Sequence, residues 1–352
     1  QDSSADVNTL VSILWGGGST HNSSSLAHKL ERLLAVWLLN CFEHSEDPIG
    51  YSIFFLPSFI SHSCRPNCMW HYSGDCFVLR AREDISAKDE VTVSYLSEEA
   101  LLGSTASRRR QLQVTKHFVC HCERCILRVD RARGFTCPGC SKGEIFLDVA
   151  SGRPLPTQEG SCSSCGFLPT SSQIADMCRQ EARIEELILD WDNKAARASP
   201  AVYLTDAVAS RLEANIQGLF SWRHWLRDRV ARHLIAYYET SNKSDLALPL
   251  AKHCIEFITE TYPGFSALHA WALETEGDLL LRLQGFSLPS SSTVEPPITA
   301  STDVLMKASR EVAPLYAEAA QILNTLFGQD HDFYILMRDK RDALMRCTQG
   351  NG

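Results

Sequence analysis

Seven of the fourteen cysteines fall between Cys120 and Cys165, and their spacing constrains this 352-residue chain more than any other feature. Cys120, Cys122 and Cys125 read C-x-C-x2-C; Cys137 with Cys140, and Cys162 with Cys165, each read C-x2-C. Thiolates two residues apart on a tight turn can both reach one tetrahedral zinc ion. Pro138-Gly139 within one turn and Gly166 after the other supply the backbone such knuckles need. The two C-x2-C pairs, 21 residues apart, make a self-contained four-thiolate set: Cys137, Cys140, Cys162 and Cys165. Two disulfides are the competing reading, disfavoured by paired C-x2-C turns in a chain with no visible leader. The first set has three ligands and needs a fourth from elsewhere. Cys41, Cys68, Cys76, Cys178, Cys254 and Cys347 have no ligand spacing and are expected to be small buried apolar residues.

Composition narrows the class. Apolar residues at 44% and charged residues at 22% are ordinary for a globular chain, which excludes disorder throughout. A net charge of −8 disfavours nucleic-acid phosphate as the main partner. The apolar runs, such as Leu33 to Leu39, fall far short of the roughly 20 residues that span a bilayer, so no membrane partner is expected. No basic segment followed by an apolar core opens the chain, and its start at Gln1 rather than Met points to a trimmed sequence. Free, ligand-spaced thiols imply a reducing intracellular setting, cytoplasmic or nuclear.

The pattern along the chain divides in four. Residues 1–23 are polar and Gly/Ser-rich and read as loop. Gly16-Gly17-Gly18 lacks the Lys-Ser/Thr ending of a phosphate loop. A helix is predicted from about Ser25 to Asn40, with Leu26, Leu30, Leu33, Leu34 and Trp37 on one face. Strand-like runs follow at Ile53 to Leu56, Phe77 to Ala81 and Glu90 to Tyr95. Residues 118–170 lack periodicity and are expected to be folded by metal rather than by a core. Beyond Ser171, helices are predicted over roughly 174–191, 203–219, 222–240, 245–262, 266–284, 303–327 and 332–346, with a Ser/Pro-rich linker at Gly285 to Thr299. Helices of this length joined by short turns suggest a tetratricopeptide-like stack, with Trp222, Trp225 and Tyr237 in its core.

Three motifs stand in order between Asn40 and Cys125: Ser61-His62-Ser63-Cys64-Arg65-Pro66-Asn67, then Asp89-Glu90-Val91-Thr92-Val93-Ser94-Tyr95, then Phe118 ahead of the C-x-C-x2-C cluster. This series resembles the catalytic half of SET-domain protein-lysine methyltransferases, specifically the SET- and MYND-domain (SMYD-like) subfamily. Asn40-Cys41-Phe42, Gly50-Tyr51, Leu79-Arg80-Ala81 and Arg108-Arg109 agree as well, and Phe327-Gly328-Gln329-Asp330-His331 looks like that subfamily's C-terminal region.

The resemblance implies an α+β chain: a SET-domain β-clip fold of small sheets over 1–117, a post-SET zinc knuckle over 118–130, an additional four-cysteine zinc module over 131–170, and an all-α tetratricopeptide-like domain over 171–352. It implies methyl transfer from S-adenosylmethionine to a lysine ε-amine of a protein substrate, with zinc at two sites. Tyr95 would orient methyl and amine; Ser61, His62, Asn40 and Phe118 would join Tyr95 in holding the cofactor. Cys64 would be the fourth ligand beside Cys120, Cys122 and Cys125. A homodimer through the helical domain is the expected assembly. Arg108-Arg109-Arg110 reads as a solvated helix face.

The chain departs from the family pattern. Ser61 stands where an Asn is usual, a loss worth about 1–3 kcal/mol in cofactor binding. Lys116 stands where many members carry an aromatic wall of the lysine channel. No MYND finger and no Gly-x-Gly cofactor turn is recognisable, so the sequence is expected to begin inside the SET domain. Without the finger and with the extra four-cysteine module, the chain resembles the divergent apicomplexan branch that includes the apical complex lysine methyltransferases. The alternative is a catalytically silent SET-like scaffold whose zinc and helical modules bind a partner.

Overall fold

A computed structural model describes residues 20–44, 50–148, 160–200, 203–286 and 302–349. Helix α1 (Thr20–Asn40) leads into a short hairpin, β1 (Phe42–His44) with β2 (Gly50–Ser52). A 3-10 turn (Pro57–Phe59) precedes β3 (Ser61–His62), and β4 (Cys68–Ser73) pairs antiparallel with β5 (Cys76–Ala81). Strand β6 (Thr92–Val93) returns to run parallel to β3, with Ser61 opposite Thr92 and His62 opposite Val93. Three helices follow: α2 (Glu98–Leu101), α3 (Thr105–Lys116) and α4 (Glu123–Ile126). Ser97 and Ser104 cap the first two, each accepting a backbone N–H of the first turn.

Strands β7 (Val129–Thr136) and β8 (Glu144–Asp148) form a hairpin. Helices α5 (Ser171–Ala195) and α6 (Asp206–Leu219) precede β9 (Phe220–His224), which adds to β7 in the order β8-β7-β9. Helices α7 (Trp225–Thr240), α8 (Ser244–Thr261), α9 (Ala267–Leu283), α10 (Thr302–Phe327) and α11 (Asp332–Gln349) then stack, each against the next. No helix among the described residues is long and apolar enough to cross a membrane.

Several expectations are corrected. The segment 222–240 is helical only from Trp225, because Phe220–His224 pair antiparallel with β7, Phe220 opposite Phe135 and His224 opposite Arg133, and Trp222 is exposed rather than in the core. Ile53 to Leu56 is irregular, and Glu90 to Tyr95 narrows to the two residues of β6. Residues 20–23 are helical rather than loop; residues 1–19, the Gly16–Gly18 run and most of the 285–299 linker lie outside the described residues. Residues 118–170 carry buried Phe135, Ile145 and Leu147, since β7 and β8 share a sheet with β9 and a core with the helices. The apolar side of α1 is only partly covered by the described residues: Leu30 is half-buried, Leu33 is 64% exposed, and Leu34 and Trp37 are exposed too.

Among the unclustered cysteines, Cys68 and Cys254 are buried as expected. Cys76 is exposed at the β4–β5 turn, and Cys41 and Cys178 are half-buried. The Cys347 side chain lies outside the described residues.

Candidate functional site

The parallel pairing of β3 with β6 brings two distant motifs side by side. Asn67 locks them: its Oδ1 accepts the Thr92 amide at 2.8 Å and its Nδ2 donates to the Glu90 carbonyl at 2.8 Å. The Ser63 amide donates to Val93 O at 3.0 Å, continuing the ladder. Tyr95 therefore leaves β6 directly beside His62. Its backbone N–H donates to His62 Nδ1 at 3.0 Å, and its hydroxyl donates to the Ile60 carbonyl at 2.5 Å. Phe118 closes a triangle of rings, 5.9 Å from His62 and 6.3 Å from Tyr95 between centroids. Tyr95 and Asn40 line one cleft of about 520 Å³, bounded also by Phe42, Ser58, Glu98 and Lys116. Ser61 is part-buried and is placed by its backbone pairing with Thr92.

Both ring nitrogens of His62 are engaged within the chain, since Nε2 lies 3.3 Å from Cys64 Sγ. Burial first, and Arg108 further on, lower its pKa to about 4 against the opposing pull of Cys122, so the ring is neutral at pH 7 and Nδ1 can accept. Burial, with the Glu90 carboxylate second, raises the Tyr95 phenol above its ordinary value, so it is protonated and can donate.

Cys64 joins Cys120, Cys122 and Cys125, with all four sulfurs within 4.8 Å of one another. Cys137, Cys140, Cys162 and Cys165 form a second such group. Tetrahedral zinc with bonds of about 2.3 Å requires sulfurs about 3.8 Å apart. Cys64 lies 4.0 Å from Cys120 and 3.5 Å from Cys125; Cys137 lies 3.8 Å from Cys165, and Cys140 lies 3.6 Å from Cys162. Both clusters thus fit the ion. Backbone amides point at the sulfurs, from Cys64 N to Cys122, Gly139 N to Cys137 and Ser164 N to Cys162, favouring thiolates. The Gly143 amide, then that of Lys142, lowers Cys140 to about 6.

The arginine run is not a solvated face. Arg108 is 1% exposed and donates to Gly103 O, Thr105 Oγ1 and, at 3.8 Å, Cys125 Sγ. Arg109 donates to the carbonyls of Cys120 at 2.9 Å and Cys125 at 3.0 Å. A four-thiolate cluster carries net negative charge, and these guanidiniums offset it. Only Arg110 points outward, pairing with Glu185 at 3.0 Å.

Sequence reasoning did not single out Arg124. It donates to Cys64 O at 3.2 Å, Leu101 O at 2.6 Å and Thr261 O at 3.3 Å, and stacks on Tyr262, joining motif, knuckle and helix α8. Its place inside the C-x2-C turn was the available signal.

The SET domain family matches residues 16–96. The chain is 38% identical over 84 residues to the histone-lysine N-methyltransferase SET5 of Vanderwaltozyma polyspora, covering 24% of this chain and 16% of that one. It is 36% identical over 77 residues to the histone-lysine N-methyltransferase SMYD3 of Homo sapiens, 22% of this chain and 17% of the relative. The similarity to mouse Smyd1, also called a histone-lysine N-methyltransferase, is 25% over 221 residues and takes in 57% of this chain and 42% of Smyd1. The chain thus spans well under half the length of these relatives. Residues 16–96 match the SET domain family, and the relatives that this chain is similar to include SMYD proteins.

Proposed function

We propose that this chain is the catalytic and helical part of an S-adenosylmethionine-dependent protein-lysine methyltransferase acting inside the cell. The observation that carries the reading is the Tyr95 amide bonded to His62 Nδ1 at the edge of a cleft that also exposes the Asn40 amide. A volume of about 520 Å³ suits a ligand of the cofactor's size. When bound, S-adenosylmethionine supplies an electrophilic sulfonium methyl.

Tyr95 gives its hydroxyl proton to Ile60 O, which leaves the oxygen lone pairs turned to accept an N–H from an entering amine. An amine held by one such bond presents its own lone pair in a fixed direction. His62, with both nitrogens occupied, acts by positioning Tyr95 and through its backbone rather than by side-chain bonds to the cofactor. Asn40 offers a polar amide at the cleft wall, and Phe118 a ring face for the adenine. The Cys64 cluster holds zinc and ties this loop to the knuckle that carries Phe118. The second cluster holds a further zinc, and the modules divide near residues 117, 130 and 170.

Titration calorimetry with S-adenosylmethionine tests the pocket directly; micromolar binding that is lost on chelation is expected. Methyl transfer to core histones should be abolished in Tyr95→Phe, and unchanged transfer in that variant overturns the mechanism.

A further inference from the structure

Lys116 is the last residue of α3, and His117 behind it takes a left-handed conformation at φ 60°. That turn sends Lys116 across the cleft, where Nζ donates to the Leu39 carbonyl at 2.6 Å and stands 5.6 Å from the centroid of the Tyr95 ring. Leu39 belongs to the last turn of α1, so the C-terminal ends of two helices converge on this ammonium. Both ends carry partial negative charge and favour a cation there. The bond to Leu39 O holds the charge at the cleft wall, beside the Tyr95 ring.

We infer that Lys116 is an electrostatic positioning residue that lowers the pKa of the acceptor amine beside Tyr95, so that the substrate lysine is uncharged when it reacts. The inference rests on the methyltransferase reading above. A protonated amine has no lone pair to attack a methyl carbon; its proton must leave to solvent before the N–C bond forms and the S–C bond breaks. A fixed cation at this separation penalises the ammonium form and spares the amine. The same device activates a catalytic lysine set beside another cation.

Other charges face the cleft. Glu43 of β1, Glu98 of α2 and Glu90 ahead of β6 oppose Lys116, Arg82 after β5 is a second cation, and the nearby His62 ring of β3 is neutral. Arg82 is committed to Tyr262 Oη and Phe265 O. Burial keeps Glu98 above its ordinary pKa, which weakens its pull. Lys116 is the charged group held over the Tyr95 ring.

The test compares Lys116→Met and Lys116→Arg with the unmodified chain. With core histones as acceptor, the rising limb of kcat/KM against pH should move up by about one pH unit in Lys116→Met, roughly a tenfold loss on the limb, and stay in place in Lys116→Arg. A cofactor-free readout accompanies it: the Tyr95 phenol, followed by carbon NMR of labelled tyrosine and assigned with Tyr95→Phe, should titrate higher in Lys116→Met and not in Lys116→Arg. Coincident profiles, or an arginine variant that behaves like methionine, overturn the inference. If the unmodified chain transfers no methyl at any pH, the functional reading fails, and the Tyr95 titration still decides whether Lys116 sets the field at this site.

Discussion

Cys64 and Cys125 are 61 residues apart in sequence, yet their sulfurs lie 3.5 Å apart. Cys64 is the one ligand of its cluster that comes from the loop after β3, so removing it severs that loop from the knuckle. Cys64→Ala is expected to lower bound zinc from two ions per chain to one, measured by atomic emission on purified protein. It should also lower the melting temperature, whereas Cys76→Ala, at an exposed turn, should change neither.

Arg108 gives a second prediction. Its guanidinium is buried among Gly103 O, Thr105 Oγ1 and Cys125 Sγ; burial works against its charge, but Asp130 and the cluster thiols hold its pKa above the ordinary value. Arg108→Leu removes the charge that balances the cluster and should cost about 2–4 kcal/mol by denaturant unfolding. Arg110→Ala, two residues on and paired with Glu185 at the surface, should cost under about 1 kcal/mol.

These two cases mark where the sequence was legible. Ligand spacing exposed both clusters, because knuckle geometry is local: Cys137 and Cys140 must face one point whatever surrounds them. Helix periods were equally readable, and all seven predicted C-terminal helices match α5 to α11 to within about four residues. What failed depended on distant partners. Nothing local tells Phe220–His224 to extend; β7, some 85 residues earlier, does that. Arg108-Arg109-Arg110 reads as surface until α4 and the Cys64 loop are folded against it. The partners of the His62 ring, Tyr95 N at Nδ1 and Cys64 Sγ at Nε2, likewise come from the fold and are not written in its own motif alone.

The pairing of Arg133 on β7 with Glu181 on α5 predicts a pH dependence. Arg133 Nη2 lies 2.6 Å from Glu181 Oε2 and Nε lies 3.0 Å from Oε1, while Trp225 Nε1 donates to Oε1 at 3.3 Å. Burial alone would raise the carboxyl, but the hydrogen bonds from His224 and Arg133 outweigh it and hold Glu181 well below the usual carboxylate range. A depressed folded-state pKa means that this stabilisation is complete above the unfolded value of about 4.5 and is lost as pH falls below it. Glu181→Gln should therefore cost about 3 kcal/mol at pH 7 by leaving Arg133 buried without a counter-charge. Its unfolding free energy should fall less steeply than that of the unmodified chain between pH 5 and pH 3, measured by urea titration at each pH. Parallel pH curves would show that Glu181 is not the titrating group.

Two helical glycines should respond oppositely to a methyl group. At Gly277 of α9 a Cβ would stand 2.6 Å from Tyr316 Cε1 and 3.1 Å from Val312 Cγ1. Tyr316 cannot give way, because it is fully buried and its hydroxyl donates to Asp278 Oδ1 at 2.6 Å. Gly277→Ala should thus push α9 off α10 and cost about 1–3 kcal/mol despite alanine's better helix propensity. At Gly218 of α6 no atom lies within 4 Å of the added carbon. There the reduced freedom of the unfolded chain decides, and Gly218→Ala should gain about 0.5–1 kcal/mol. Thermal melts of the two variants should move in opposite directions; a gain at Gly277 would mean that α9 and α10 pack less closely than the Gly277–Tyr316 approach requires.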